Sequence, residues 1–286
     1  MKRLIVLLGV VGISASAILV RWSTAPSMVL VMYRMIVAVG LLSPVVLLRR
    51  RDELKNLTRR DWLMSAAAGC CLGLHFTFYF ESVRNTSIAA AVVLSDTEVL
   101  FVALGSILLL HKKLSRMCWL AVALAFIGAV TVALSGGTGG ESGLLGNIFA
   151  LLSAMLLALY TMIGASARKR VSNTSYTFVA YTFAAITVAA VAICSGTPLA
   201  GYGAQNWLTA LGMAVLCTLM GHSVFTWGLE YLPPAYISTV KLLEPVFSAI
   251  WGLLLFRETP TLAVIIGGVI VIAGVALYGH AAAEEE

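Results

Sequence analysis

Residues 92–101 read Val-Val-Leu-Ser-Asp-Thr-Glu-Val-Leu-Phe, and residues 239–247 read Thr-Val-Lys-Leu-Leu-Glu-Pro-Val-Phe. A shift of 146 positions lays Glu98 on Glu244, Phe101 on Phe247 and, further along, Gly128 on Gly274. Asp96 and Glu98 in the first copy, and Lys241 and Glu244 in the second, interrupt runs that are otherwise apolar. Ionised groups at the centre of apolar helices are costly, so they pair with one another, face water, or do both. Here they recur in both halves of one chain.

The surrounding composition tells what kind of helices these are. Of 286 residues, 60% are hydrophobic and 11% charged, and apolar runs recur along the whole length. A run of about 20 residues at about 1.5 Å each spans the hydrocarbon core of a bilayer, and a water-soluble domain cannot bury so much apolar surface. Strand-like alternation is missing, which argues against an outer-membrane barrel. The net charge of +6 does not point to nucleic acid, because the basic residues collect in short loops between apolar runs. Those runs predict ten transmembrane helices at about 3–21, 27–48, 62–82, 87–110, 116–135, 144–167, 174–194, 206–229, 235–256 and 260–280. Breakers such as Thr24-Ala25-Pro26, the glycine cluster at 136–140, Gly196-Thr197-Pro198 and Pro233-Pro234 separate them. Lys2-Arg3, an apolar run and Ala15-Ser16-Ala17 have the outline of a cleavable signal peptide, but the run continues through Val20, which suits a first span. Residues 281–286 read as a tail. Cys70, Cys71, Cys118, Cys194 and Cys217 lack metal-ligand spacing and read as small core residues, and neither a metal nor another cofactor is expected.

Fourteen Lys and Arg residues fall in alternate loops and three in the others. The positive-inside rule then places both termini in the cytoplasm of a multi-pass protein of the cell's inner membrane. Five spans per half is an odd number, so the second half runs upside down relative to the first. The fold class expected is an all-α polytopic membrane protein with ten transmembrane helices as two inverted five-helix repeats, residues 1–139 and 140–280. Such repeats are common in secondary transporters, whose site lies near the bilayer midplane where the repeats meet. His75 and His222 are 147 positions apart, whereas Val83 and Leu229 are 146 apart, which places one residue of slippage in the third or eighth span.

The residues at these positions also resemble a family. Ser82-Val83-Arg84-Asn85-Thr86-Ser87-Ile88-Ala89-Ala90-Ala91, its partner Gly228-Leu229-Glu230-Tyr231-Leu232-Pro233-Pro234-Ala235, then Leu243-Glu244-Pro245-Val246-Phe247 and Phe256-Arg257-Glu258 are similar to the drug/metabolite transporter superfamily, EamA type. Arg34 in the second span resembles that family's arginine. The resemblance covers nearly the whole chain and implies a carrier of two five-helix EamA repeats. It also implies alternating access around a central cavity lined by spans 1, 3, 4, 6, 8 and 9. Where the family commonly has a proline in its fourth span, this chain has Val99, which puts a break of that helix in doubt.

On a continuous helix, Asp96 and Glu98 stand about 200° apart and cannot share a face. Arg34 lies roughly 10 Å below the outer end of its span and Asp96 about 14 Å below that of its own, depths compatible with a structural Arg34–Asp96 ion pair. The alternative is that Arg34 binds an anionic group of the substrate. Lys241 and Glu244, three residues apart, share a face and are placed to neutralise each other, and Pro245 marks a kink or a hinge. His75 forms a stripe with Tyr79 and Ser82, and His222 shares a face with Phe225 and Thr226. Each imidazole reads as an interhelix hydrogen bond, a substrate contact or a proton carrier. Tyr79, Tyr160, Trp227 and Trp251 read either as helix packing or as an aromatic wall suited to an organic cation or an amino acid. Gly12, Ser14, Ser16 and Gly164 allow close helix approach.

The candidate substrate-binding set is therefore His75, Tyr79, Glu98, Tyr160, His222, Trp227, Glu244 and Trp251. Glu98, Asp96, Arg34 and Lys241 are the candidates for proton coupling or structural ion pairs. The function expected is a secondary transporter, not an enzyme. It moves a small polar or amphipathic metabolite, an amino acid or related zwitterion or cation, by alternating access, and export is favoured over uptake. The alternatives are a proton-coupled multidrug or organic-cation exporter and, remotely, an intramembrane enzyme. The partners expected are the substrate and the lipid bilayer, for a monomer or homodimer that binds no nucleic acid.

Overall fold

A computed structural model describes residues 2–85, 94–108, 114–135, 143–256 and 262–284. Among these, every regular element is a helix, as expected where no water is present to satisfy exposed backbone groups. In chain order the elements are α1 (Lys2–Ser14), α2 (Ser16–Arg21), α3 (Ser27–Arg49), α4 (Arg51–Asn56), α5 (Arg59–Asn85), α6 (Glu98–Leu108), α7 (Arg116–Ser135), α8 (Leu144–Ala167), α9 (Asn173–Cys194) and α10 (Ala204–Gly212). A π-helix (Met213–His222), α11 (Ser223–Gly228), α12 (Pro234–Lys241), α13 (Glu244–Phe256) and α14 (Leu262–Glu284) complete the chain. Five stretches are long and apolar enough to cross a membrane: Ser27–Arg49, Arg59–Ser82, Leu144–Ala167, Asn173–Cys194 and Ala204–Gly228. Large side chains such as Leu48 (83% exposed), Leu144 (76%) and Leu254 (65%) cover the outside, a surface suited to lipid rather than water.

Several boundaries follow from local chemistry. Ser172 caps α9, its hydroxyl accepting from the Ser175 N–H. Gly196, at φ 70°, closes the turn after that helix in a conformation open to glycine. Pro234 occupies the start of α12, where a missing N–H costs nothing. Two features differ from the sequence reading. α4 forms inside a loop. α14 continues through Glu284, so residues 281–284 extend the last helix rather than trail as a tail. The eighth span is wound as a π-helix over Met213–His222, directly before the one-residue slip that separates His222 from Leu229. The glycine cluster at 136–140, Val92, Val93 and the Arg257-Glu258 pair lie outside the described residues.

The packing follows an exchange of the two halves. α5 lies along α8, as α1 lies along the π-helix; α5 meets α9, as the π-helix meets α3. The pairs α3 with α9, α6 with α12 and α7 with α14 join equivalent elements of the two halves. At the last of these the matched glycines explain the closeness: a Cβ on Gly128 would sit 2.7 Å from the Gly267 carbonyl oxygen, and one on Gly274 would sit 2.5 Å from the Ala125 nitrogen. Gly12 works the same way between α1 and the π-helix, where a Cβ would meet the Leu216 carbonyl oxygen at 2.5 Å. Two buried apolar cores result, one around Val10, Val122, Ile237 and Val271 and the other around Leu30, Leu72, Tyr176 and Met213.

Candidate functional site

The decisive local feature is a helix break that occurs once in each half at the same register. Leu94–Asp96 is helical, Thr97 is a turn, and α6 starts at Glu98. The Thr97 hydroxyl and N–H both donate to the Leu94 carbonyl. In the second half α12 ends at Lys241, Leu242 and Leu243 turn, and α13 starts at Glu244. Their N–H groups donate three residues back, to Thr239 and Val240. The first break needs no proline, contrary to the doubt raised by Val99. In the second, Pro245 belongs to the first turn of a new helix and does not kink the interior of an old one.

These breaks redirect the charged side chains. Asp96 and Glu98 both line one cavity of about 90 Å³, although a continuous helix would have turned them apart. Lys241 makes no salt bridge with Glu244, although both line the cavity and a two-residue turn lies between them. Its ammonium instead reaches Glu98 in the other half, 3.1 Å from Oε1 and 3.2 Å from Oε2. Thr161 and Ser238 also donate to Glu98 Oε1, at 3.0 and 2.9 Å. Both charged residues are over nine-tenths buried.

Arg34 does not pair with Asp96 either. Its Nε donates to Thr218 Oγ1 at 2.7 Å, and its guanidinium carbon lies 4.4 Å from the centre of the Phe76 ring. The π-helix presents Thr218 at that point. One guanidinium nitrogen, Nη2, is buried with no hydrogen-bond partner, and so is Asp96 Oδ2. Arg34 and Asp96 line the same cavity. Among the described residues Glu244, also in its wall, has no cation at salt-bridge distance, although Arg34 and Lys241 lie within its electrostatic reach.

His75, Tyr79 and His222 join this wall together with Phe76, Phe80 and Phe225. His75 Nδ1 is fixed by Ser153, at 2.8 Å from its hydroxyl and 3.1 Å from its carbonyl oxygen. His222 meets the Phe76 ring edge-on with centroids 5.3 Å apart. Side chains from α1, α2, α3, α5, α6, α8, the π-helix, α11, α12 and α13 contribute to the lining, and it lies between the two apolar cores. No group of three or more His, Cys, Asp or Glu side chains with metal-binding geometry occurs among the described residues.

A model of the EamA-like transporter family matches residues 2–134 and again residues 144–279. The chain belongs to that family. It is 26% identical over 253 residues to an uncharacterized transporter of Archaeoglobus fulgidus, with 87% of this chain and 86% of the relative covered. It is 26% identical over 259 residues to a protein of Pseudomonas aeruginosa named pseudopaline exporter, covering 89% and 87%. A solved crystal structure shares the fold with a TM-score of 0.81 at 17% identity, over 98% of each chain.

Three aromatic candidates of this EamA transporter lie away from the cavity wall. Tyr160 packs in the second core with its ring 6.4 Å from that of Tyr176. Trp227 stands at the end of α11 beside Tyr231, where the chain also gathers Arg168, Arg170 and Glu230. Trp251 donates from Nε1 to Ser14 Oγ at 2.9 Å, tying α13 to α1. The sequence reading missed Ser95, Ser238, Thr161 and Thr218. Small hydroxyl residues are frequent in transmembrane helices, and only the breaks and the π-turn bring these four to the charged groups. Cys217 was read as core, and it borders the cavity.

Proposed function

We propose that this EamA transporter is a secondary carrier for a small zwitterionic metabolite, an amino acid or close relative. In this reading the chain spans the inner membrane ten times as two inverted five-helix repeats, residues 1–139 and 140–280, with both termini cytoplasmic. Alternating access then exposes the cavity to each side in turn. The observation that carries the substrate class is the pair of unsatisfied groups of opposite sign in one buried cavity: a guanidinium nitrogen of Arg34 and a carboxylate oxygen of Asp96. A buried charged group without a partner is costly, and a zwitterion offers a carboxylate to the first and an ammonium to the second. A cavity of about 90 Å³ has room for several waters or a small solute. Phe76, Tyr79 and Phe80 supply an apolar side for the remainder of the molecule. Binding roles thus fall to Arg34, Asp96, His75, Tyr79, His222 and Glu244, and Glu98 is assigned to a structural pair. The relative's name, an exporter, supports outward movement.

A second reading, an organic-cation exporter coupled to protons, is favoured by the two acids, Asp96 and Glu244, that Lys241 does not neutralise. Counterflow in proteoliposomes separates the readings. Vesicles loaded with unlabelled amino acids should accumulate the labelled amino acid chemically unchanged, with no pH gradient imposed. Exchange of tetraalkylammonium compounds with no amino acid exchange overturns the zwitterion reading in favour of the second. Recovery of a chemically altered solute overturns the carrier reading altogether.

A further inference from the structure

The two helix breaks are alike in register but differ in chemistry at two positions. Shifted by 146, Glu98 meets Glu244, Lys241 meets Ser95, and Leu242 meets Asp96. The second half therefore sends an ammonium across to the carboxylate of the first, but the first half sends nothing back. Where a returning ammonium would start, Ser95 stands buried with its hydroxyl unpartnered. Glu244, the carboxylate that it would meet, has no cation at salt-bridge distance among the described residues. Asp96 adds a second acid beside the vacancy, within electrostatic reach of Glu244 and with Oδ2 unpartnered. Ser95, Asp96 and Glu244 all line the one cavity.

We infer that the space between Ser95, Asp96 and Glu244 is a primary-ammonium subsite, in which the substrate's amine takes the place of the lysine that the first half lacks. The filled counterpart shows what such a site provides. The Lys241 ammonium is held by both oxygens of Glu98, with the hydroxyls of Ser238 and Thr161 on the same carboxylate and the Phe225 ring 5.5 Å away. In the vacant copy Glu244 corresponds to Glu98, Asp96 contributes a further carboxylate, and the Ser95 hydroxyl is a ready acceptor. An ammonium has three donors, and three acceptors of this kind would satisfy it. Arg34 lines the same cavity and offers its guanidinium to the carboxylate, so the subsite and Arg34 together fix which end of a zwitterion points where. The inference rests on the reading of the cavity as the substrate site and adds the location of the amine.

The test uses methylammonium as a free copy of the lysine head group, and Ser95→Lys as a tethered one. The purified protein is melted in methylammonium chloride and in equal concentrations of sodium chloride. The wild type should gain roughly 2–4 °C at several times the dissociation constant. Ser95→Lys should melt higher than the wild type in sodium chloride and gain nothing from methylammonium. A variant with the wild-type methylammonium response overturns the inference, as does a wild type with no specific response. If Ser95→Lys fails to fold, Glu244→Gln provides the same decision, since it should melt as a folded protein and lose the response. Retention of the response there overturns the inference. The outcome is separable from that of amino acid counterflow. A methylammonium response confined to proteins with a vacant subsite supports the amine subsite even if no amino acid exchanges, and exchange with no such response rejects the subsite alone.

Discussion

Lys241 donates to both carboxylate oxygens of Glu98, at 3.1 and 3.2 Å, and thereby fastens the second half of the transporter to the first at the centre of the molecule. The sequence separation of the pair is 143 residues, and each partner stands at a helix end made by a break in the same register. The interaction has two consequences. It neutralises Glu98, one acid of the matched pair Glu98–Glu244, and it leaves Asp96 and Glu244 in the cavity wall without a salt-bridge partner among the described residues.

Removing one partner should cost far more than removing both. Lys241→Met leaves a buried carboxylate uncompensated, a change of about 3–5 kcal/mol by the behaviour of buried pairs. Glu98→Gln with Lys241→Met replaces both charges with neutral groups of similar size and should recover most of that loss. Thermal unfolding of the wild type, both single variants and the double variant checks the expectation. Additive single losses in the double variant would show that the two residues do not act as a pair.

Arg34 acts through two kinds of contact that a lysine cannot make together. Its Nε holds Thr218 while the planar guanidinium lies on Phe76 and leaves Nη2 for a ligand. Arg34→Lys keeps the charge and loses the fork. In counterflow the KM for an amino acid should rise about tenfold, equivalent to ~1.4 kcal/mol, while binding of methylammonium stays as in the wild type. A variant with unchanged KM removes Arg34 from carboxylate recognition. Loss of both responses in a folded variant makes it a general support of the cavity.

How much of this was legible beforehand turns on the breaks. Apolar runs and basic loops were enough to place a helix in every expected stretch, and the 146-residue echo put Glu98 and Glu244 at equivalent places. The partners of the charges were not legible, because neither Thr97 nor Leu242-Leu243 is a glycine or a proline. On an unbroken helix Lys241 and Glu244 share a face and Asp96 and Glu98 do not; the short turns bring all four to one cavity and give the Lys241 ammonium to Glu98. One signal was available: a proline tolerated in a helix is commonest in its first turn, so Pro245 could have placed a helix start at Glu244. The π-helix has no comparable mark in Met213–His222, so the meeting of Thr218 with Arg34 could be found only in three dimensions.

Outside the cavity, Glu53 ties the short helix α4 to the cap of α9. Its carboxylate accepts from the Ser172 N–H at 2.8 Å and the Ser172 hydroxyl at 2.7 Å. Partial burial pushes its pKa up, but the hydrogen bonds from Ser172 and Ser175 and the nearby Arg50 charge outweigh this, leaving it below the usual 4.5. A carboxyl group with a lowered pKa in the folded state stabilises above its unfolded pKa, and the contribution is lost as pH falls through the folded value. Melting temperatures of the wild type and Glu53→Gln should therefore differ at pH 7 and converge below about pH 4. A difference that persists at lower pH rules out the ionised carboxylate as its cause.

At the same end of the molecule the buried Arg168 donates to the Thr226 carbonyl at 3.2 Å, to the Val171 carbonyl and to the Glu230 carboxylate. Asn173 adds bonds to Ser223 and Thr226, both 2.9 Å. Arg170 meets Asp61 at 2.7 Å. These contacts bind the ends of α5, α8, α9 and α11 into one cluster. For an alternating-access carrier such a cluster closes one side while the other opens, and loosening it should expose the cavity to the face bearing the basic loops. Glu230→Gln removes the ionic component and leaves Arg168 its two carbonyl bonds, so the fold should persist. Cys217 borders the cavity and provides the readout once the other four cysteines are replaced. In vesicles with that face outward, a membrane-impermeant thiol reagent should modify Cys217 several-fold faster in Glu230→Gln than in its parent, and an amino acid that binds the cavity should slow the reaction in both. Equal rates without substrate would mean that the Arg168–Glu230 contact holds the loops together but does not control entry to the cavity.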